Sequence, residues 1–225
     1  MKILTFDTST ELMYVNISDD ETIINRRIVE STKERYNSAL LIPGIIELLK
    51  EQNITMQDIE AVGVNVGPGS FTGIRASATV ARVMAQSLNI PVAGIPSLEI
   101  ISLINNTDKD SLCLLDARRS KIYTAIYSSI GEIIRPPCVI DYEEALKIAN
   151  TGNYFIITDN KIHQLLQDNG FKSVNIQQDH YDFGINLVKL TCKYLKKQNV
   201  DEFKWYNLKP LYIQPPPISI SKKTA

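Results

Sequence analysis

Residues 59–88 read IEAVGVNVGPGSFTGIRASATVARVMAQSL, and this stretch decides the fold. The run Ile59–Val66 is short, apolar and rich in β-forming residues, which favours a buried strand. It leads through the glycine-rich segment Gly67–Gly73, called the glycine loop below, into a helical pattern from Ile74 to Leu88. A strand, a glycine turn and a helix in this order are typical of a parallel crossover, so the sequence predicts an α/β sheet.

Strand and helix patterns continue on both sides of this stretch. Three strand patterns, KILTFDTS, LMYVNIS and TIINRRIVE, occupy most of residues 2–30 and predict an antiparallel meander. A helix is predicted from Asn37 to Gln52, where the apolar residues form two adjacent stripes in place of the usual one. After the polar segment 105–110 the strand patterns restart with LCLLDARRS, which marks a boundary between two halves.

The two halves carry a weak internal repeat. The stretch Ile3–Asp7 aligns with Leu112–Asp116 at an offset of 109 residues, and the same offset aligns Tyr14 with Tyr123. The sequence therefore predicts two copies of a βββαβα unit.

The repeat divides the chain into two predicted lobes. We expect residues 1–108 to form an N-terminal lobe with the glycine loop and residues 109–213 to form a C-terminal lobe. The last helix is a candidate for packing back on the first lobe. Residues 214–225 follow the proline-rich PLYIQPPP and are predicted to be a tail.

Composition and charge exclude several classes of protein. Apolar residues make up 44% and charged residues 22% of the 225 residues, which excludes a disordered, collagen-like or coiled-coil chain. The formal charge is −1, so contact with RNA is expected to be local or through a partner. No signal-peptide pattern or apolar run of about 18 residues is found, and the three scattered cysteines suit reduced thiols. We expect a cytoplasmic protein.

The glycine loop is a candidate anion or nucleotide site. Backbone amides at a helix N-terminus point outward together, and the helix dipole adds positive charge. At the end of the first strand, hydroxyl groups could meet phosphate oxygens while the carboxylate of Asp7 holds a metal-bound water, and Asp116 is its counterpart in the second half. The candidate residues are Asp7, Thr8, Ser9, Gly67, Gly69, Ser70, Thr72, Gly73 and Asp116.

Structural roles explain the same residues without a ligand. A tight turn requires glycine, and Ser70 or Thr72 can cap the following helix. Asp7 can satisfy the amides of its own turn. We predict no catalytic residue and no metal site, since His163 and His180 show no metal-ligand spacing and no partner pattern for a nucleophile. A peptidase needs an activated nucleophile or a bound metal, and the sequence offers residues for neither.

The two helices of the first half favour a helix-on-helix surface. In the second of them Ala78, Ala81 and Ala85 form a smooth strip that lets another helix approach closely. The alternative is that both helices are simply sandwiched within the fold.

MKILTFDTST, GPGSFTGIR, LLDARRSKIYTAIY and KPLYI together resemble the TsaB (YeaZ) family over nearly the whole chain. The resemblance implies a two-lobed actin-like ATPase fold (ASKHA, ribonuclease H-like), in agreement with the repeat. It implies a non-catalytic subunit required for the threonylcarbamoyl group on N6 of adenosine 37 in ANN-decoding tRNAs. The family often has His-Ser or His-Thr before the first helix, where this chain has Tyr36-Asn37-Ser38.

The resemblance also implies partners. The chain would form a heterodimer with the homologous catalytic subunit TsaD, joined by the ATPase TsaE, with tRNA reached through the complex and no membrane involved. A homodimer and a monomer are both open when the partner is absent, and ATP or ADP with Mg²⁺ could bind in the assembled complex. The implied interface residues are Leu41, Ile45, Leu48, Arg75, Ala78, Ala81 and Ala85.

The alternative function is a stand-alone ATPase or phosphotransferase of the same fold. It would use Asp7, Asp116 and the glycine loop on nucleotide and Mg²⁺. The second half shows no glycine-rich adenosine-binding motif, which speaks against it.

Overall fold

A computed structural model describes residues 1–10, 12–30, 37–177, 183–196 and 200–214 of the chain. The first half contains the strands β1 (Lys2–Asp7), β2 (Leu12–Asp19), β3 (Thr22–Glu30), β4 (Ala61–Gly67) and β5 (Val92–Pro96) and the helices α1 (Asn37–Glu51), α2 (Phe71–Leu88) and α3 (Ser97–Ser102). The second half contains β6 (Ser111–Asp116), β7 (Lys121–Tyr127), β8 (Ile133–Asp141), β9 (Phe155–Thr158) and β10 (Val174–Asn175) with α4 (Tyr142–Thr151), α5 (Asn160–Asp168) and α6 (Phe183–Leu195). Short 3-10 helices cover Met56–Asp58, Val200–Phe203 and Trp205–Asn207.

Both halves have the same sheet topology. In the first sheet β1 lies between its antiparallel neighbour β2 and its parallel neighbour β4, and the strand order is β3-β2-β1-β4-β5. The second sheet repeats this arrangement as β8-β7-β6-β9-β10. The predicted α/β class and the predicted duplication are confirmed. Each copy is βββαβαβα, one strand and one helix longer than the expected βββαβα unit.

The strand register corrects one detail of the predicted repeat. Asp7 pairs with Tyr14 across the first hairpin, whereas Asp116 pairs with Ile122 across the second, so the second turn is one residue shorter. Tyr14 is therefore equivalent to Ile122, and the predicted alignment of Tyr14 with Tyr123 is wrong by one residue. A single offset cannot hold through turns of different length.

The helices form three layers around the two sheets. The side chains of α1 and α2, including Leu41 and Ala81, pack on one face of the first sheet. Those of α4 and α5, such as Ile162, pack on one face of the second sheet. The helices α3 and α6 fill the space between the sheets with residues such as Leu98 and Leu187. The helix α3 contacts strands of both sheets, whereas α6 contacts β1, β2, β4 and β5 of the first sheet.

The last helix packs closely on the first sheet because β4 carries a glycine. The helix α6 contacts β1, β4 and β5. A Cβ atom on Gly63 would lie 2.0 Å from Oγ1 and 2.8 Å from Cβ of Thr191 in α6. The hydroxyl of Thr191 donates to the carbonyl of Leu187 at 2.7 Å, which fixes its rotamer. Any side chain at Gly63 would therefore push α6 away from the sheet.

After α6 the chain returns to the first lobe. Trp205, Leu208 and Leu211 pack against the core beneath α2, and the N–H of Leu211 donates to the carbonyl of Val66 at 2.8 Å. Residues 215–225, which form most of the predicted tail, lie outside the described residues. Among the described helices, none is both long and apolar enough to cross a membrane.

We expect Gly63→Ala to lower the free energy of unfolding by about 1–3 kcal/mol, because the new methyl group overlaps Thr191. Gly44→Ala in α1 is the matched control. The nearest atom to a Cβ there is the flexible end of Met13 at 3.1 Å, and the other neighbours are at ordinary contact distance. Alanine favours a helix, so stability should stay equal or rise by up to about 1 kcal/mol. Urea denaturation measures both. Equal effects of the two substitutions would contradict the close approach of α6.

Candidate functional site

The glycine loop and the end of β1 meet in a buried hydrogen-bond network centred on Asn65. The side-chain oxygen of Asn65 accepts from the N–H of Gly67 and from the hydroxyl of Ser97, both at 2.8 Å. Its Nδ2 donates to Oδ2 of Asp7 at 3.1 Å and to Oγ of Ser9 at 2.9 Å. Both ends of the amide are engaged, which fixes its orientation. The sequence analysis missed Asn65, although a polar residue inside the apolar strand AVGVNV needs buried partners.

Asp7 completes this network. Its Oδ1 accepts the N–H of Ser9 at 2.7 Å, and the side chain is fully buried. Burial raises the pKa of Asp7, and the hydrogen bonds from Ser9 and Asn65 partly oppose that rise. The structure therefore shows the turn-amide role of Asp7.

The segment after β1 packs directly on the glycine loop. The hydroxyl of Thr8 donates to the carbonyl of Gly73 at 2.8 Å and lies 2.8 Å from the hydroxyl of Ser77. The N–H of Ser70 donates to the carbonyl of Ser9 at 2.9 Å. A Cβ atom on Gly73 would lie 1.9 Å from the carbonyl oxygen of Thr8. Glycine is required at this position because two backbone segments touch there.

Part of the predicted anion site is engaged within the chain. The carboxylate of Asp7 and the hydroxyl of Thr8 are buried, and the N–H groups of Gly67 and Ser70 are bound by the chain itself. Ser70 caps α2 by accepting the N–H of Gly73 at 3.4 Å, which confirms the capping role. The buried Asp7 and Thr8 do not fit a nucleotide with Mg²⁺ in this geometry and support no phosphoryl-transfer step, whereas an anion site at the exposed Gly69, Ser70 and Thr72 stays a prediction. Gly69 and Thr72 belong to the same loop, and Thr72 is exposed.

Asp116 forms a separate site in the second lobe. Its Oδ1 accepts the N–H of Arg118 at 3.2 Å, which repeats the contact of Asp7 with Ser9. The same oxygen pairs with Lys161 at 2.9 Å and accepts from the hydroxyl of Tyr142 at 3.4 Å. These partners all lie in the second half, so Asp116 does not join the network around Asn65.

Six of the seven predicted interface residues lie in the core. Their side chains are at most 3% exposed, because they pack α1 and α2 on the first sheet. These residues are Leu41, Ile45, Leu48, Ala78, Ala81 and Ala85. Their assignment to a partner surface is therefore wrong, and the alternative of helices sandwiched in the fold describes them.

Two residues of the second apolar stripe of α1 face outward, whereas Leu49 of that stripe is buried. Ile42 is 54% and Ile46 is 43% exposed, and Val83 on the neighbouring helix α2 is 56% exposed. We call these three residues the aliphatic face. Arg75, the seventh predicted interface residue, is exposed and stacks on Phe71, with 3.8 Å between its Cζ and the ring centre.

Other potentially reactive groups have structural partners or are buried. Nδ1 of His163 lies 2.8 Å from the hydroxyl of Ser173. Burial raises the pKa of the thiols of Cys113 and Cys192, which disfavours the nucleophilic thiolate. In the described part of the chain, no three His, Cys, Asp or Glu side chains are placed to hold a metal ion. His180 and Tyr36 lie outside the described residues, and Asn37 is the first residue of α1.

The duplicated lobes and their helices define the class of protein. Two sheets of identical topology with α3 and α6 between them form an α/β protein with the actin-like ATPase fold. The solved structure of YeaZ from Pseudomonas aeruginosa superposes with a TM-score of 0.73 at 17% identity, covering 94% of this chain and 99% of that one. A component of (R)-2-hydroxyglutaryl-CoA dehydratase from Acidaminococcus fermentans reaches a TM-score of 0.51 at 10% identity over 88% of this chain and 100% of that one.

Sequence comparison identifies the family within this class. The family model described as TsaD, tRNA N6-adenosine threonylcarbamoyltransferase, matches residues 23–199. The tRNA threonylcarbamoyladenosine biosynthesis protein TsaB of Bacillus subtilis is 31% identical over 177 residues, which is 75% of this chain and 76% of that protein. The protein of the same name from Escherichia coli is 29% identical over 56% of this chain and 55% of its own length. The chain belongs to the TsaB (YeaZ) family.

We expect part of the pH dependence of stability to come from Asp7. Its pKa is raised in the folded state, so the free energy of unfolding falls as the pH rises from the unfolded pKa of about 4 through the folded value. Asp7→Asn removes this part, and the difference in unfolding free energy between the two proteins should change across that window. Urea unfolding from about pH 4 to pH 8 measures it.

Asp58→Asn is the control with the opposite sign. The hydroxyl and N–H of Thr55 lower the pKa of Asp58, so its contribution is present above the unfolded pKa and is lost as the pH falls. If the unfolding free energy of Asp7→Asn changes with pH in parallel with that of the unsubstituted protein, a raised pKa for the buried carboxyl of Asp7 would be contradicted.

Proposed function

We propose that this chain is a non-catalytic subunit in the synthesis of threonylcarbamoyladenosine on tRNA. It acts as scaffold and activator of a TsaD-type catalytic subunit, with a TsaE-type ATPase as third component. Two features of the helix pair α1 and α2 support the proposal. The loop before α2 packs against Thr8 and Ser9, while the outer side of α1 and α2 exposes the aliphatic face.

The aliphatic face has the character of a protein contact. Ile42 and Ile46 lie one helical turn apart and project to the same side of α1. Val83 adds a third branched side chain from α2, which packs beside α1. Burying such residues against a partner releases apolar surface from water, at about 25 cal/mol per Å². The face therefore suits helices of similar shape from another subunit.

The family match supports a partner of the same architecture. Residues 23–199 match the TsaD family model, so a TsaD-type subunit would carry helices equivalent to α1 and α2. Two copies of one helix pair can pack through the same outward side. When the catalytic subunit is absent, a second copy of this chain would occupy the aliphatic face as a homodimer.

The partner subunits supply the chemistry in this proposal. ATP or ADP and Mg²⁺ enter the assembled complex at the partners, since Asp7 and Thr8 are engaged within this chain. Binding of this chain selects the competent state of the catalytic subunit. The tRNA is modified on that subunit.

Omission of each protein in turn tests the role. Threonylcarbamoyl transfer to tRNA is measured in a mixture of this chain, the catalytic subunit, the ATPase and a source of threonylcarbamoyl-adenylate. We expect no transfer without this chain and none from this chain alone. Full activity without it would overturn the proposal. ATP turnover by the isolated chain that Asp7→Asn abolishes would favour a stand-alone ATPase.

We expect Ile42→Asp to weaken binding of the catalytic subunit at least about tenfold, because a carboxylate would be buried without a partner. Ile134→Asp on β8 is the matched control, since Ile134 is 53% exposed and Ile42 is 54% exposed. Both variants should keep their stability within about 0.5 kcal/mol, as surface substitutions do. Size-exclusion chromatography with the partner measures binding. Equal binding by both variants would remove the aliphatic face as the interface.

A further inference from the structure

The exposed aromatic side chains cluster on one edge of α2. Among the described residues, the aromatic side chains that are strongly exposed are Phe71 (46%), Tyr206 (48%) and Tyr212 (50%). Phe71 and Tyr212 lie 5.8 Å apart between ring centres. Trp205, the single tryptophan of the chain, meets Tyr206 edge-on at 5.6 Å. We call this surface the aromatic edge, and it comprises Phe71, Arg75, Arg82, Trp205, Tyr206 and Tyr212.

Two arginines are stacked on these rings. Nε of Arg75 donates to the hydroxyl of Tyr212 at 2.9 Å, while the guanidinium lies over Phe71. The Cζ of Arg82 lies 5.7 Å from the ring centre of Trp205. The two arginines are seven residues apart on the helix, which places them about 10 Å apart along its axis. Within the described residues neither arginine forms an ion pair with a carboxylate.

The segment that borders the aromatic edge carries as many positive as negative side chains. Residues 201–212 contain Lys204 and Lys209 together with Asp201 and Glu202. Lys204 pairs with Asp201 at 3.1 Å. With Arg75 and Arg82 the surface carries four cations and two carboxylates, although the whole chain has a formal charge of −1. The aromatic edge is therefore a local cationic surface on a nearly neutral protein.

We infer that the aromatic edge binds unpaired nucleotides of RNA. Exposed rings offer stacking surfaces that suit any base, and arginines between them meet the phosphates. An acidic protein would satisfy the charges but would leave half-exposed rings unused. The inference rests on the proposed role in tRNA modification for the choice of RNA, whereas the surface itself is read from the structure.

The aromatic edge and the aliphatic face can be occupied together. Successive residues of an α-helix are about 100° apart around its axis, so Arg82 and Val83 project in different directions. A catalytic subunit on the aliphatic face would leave Phe71, Arg75 and Arg82 on the neighbouring side of α2. The chain would then hold an RNA loop beside the subunit that modifies it.

The tryptophan provides a direct test. Trp205 is the only tryptophan, so the intrinsic fluorescence of the unlabelled full-length chain reports on the aromatic edge. The probe is an anticodon stem-loop of an ANN-decoding tRNA, and the comparison is a blunt duplex of the same stem. We expect a saturable change in emission with the stem-loop and at least about tenfold weaker binding of the duplex. Equal binding of both RNAs, or no saturable change, would overturn the inference.

Substitutions separate stacking from charge. Phe71→Leu and Tyr212→Leu keep apolar side chains but remove the rings, and each should weaken stem-loop binding about fivefold or more. Arg75→Gln and Arg82→Gln should each lower the slope of log affinity against log salt by about 0.7. Arg119→Gln, on the exposed turn between β6 and β7, is the control and should change neither quantity. If the Gln variants lower the salt slope but the Leu variants bind the stem-loop unchanged, the attraction is purely electrostatic, and the stacking role of the rings would be overturned.

Ile42→Asp distinguishes this inference from the proposed subunit role. That variant should lose the catalytic subunit and keep RNA binding, whereas Tyr212→Leu should keep the subunit and lose RNA affinity. Thermal unfolding confirms that each variant is folded. Loss of RNA binding in Ile42→Asp would overturn the separation of the two surfaces.

Discussion

The first lobe depends on the close packing of one late helix, α6, on its sheet. The helix α6 lies between the sheets with Leu187 and Leu190 almost completely buried, and burying such a side chain contributes about 1.5–3 kcal/mol. Its approach to the first sheet is possible because Gly63 leaves room for Thr191. The space between the lobes is thereby filled with apolar side chains.

Close packing also explains the glycine loop. In many proteins a glycine turn before a helix leaves backbone amides free for an anion. Here the carbonyl of Ser9 accepts the N–H of Ser70, and the hydroxyl of Thr8 donates to the carbonyl of Gly73. Asn65 joins the loop to Asp7 and to the start of α3 through Ser97. The loop therefore connects three elements of the first lobe. Its glycines are explained by close backbone contacts, and the polar residues around it are explained by one another.

Local patterns in the sequence predicted much of the fold, whereas they could not predict which side of each helix faces the core. The strand LTFD, the glycine loop and the repeat at Asp116 identified the class, because periodicity and turn residues act locally. For α1 the two stripes are equally apolar, so Leu41 and Ile42 could not be assigned to inside and outside without the sheet. The network around Asn65 joins residues far apart in the chain. The aromatic edge was missed because Tyr212 reaches Arg75 only after the chain has crossed both lobes.

The position of α6 has a consequence for synthesis of the protein. The inner face of the first sheet is covered only in part, by α3, until Phe183–Leu195 has been made, although all five strands of that sheet lie before residue 97. An amino-terminal fragment would expose Ala93 and Ile95, which α6 and its neighbours cover in the complete chain. A first lobe made without α6 would therefore lack part of its apolar cover until most of the second half has been synthesised.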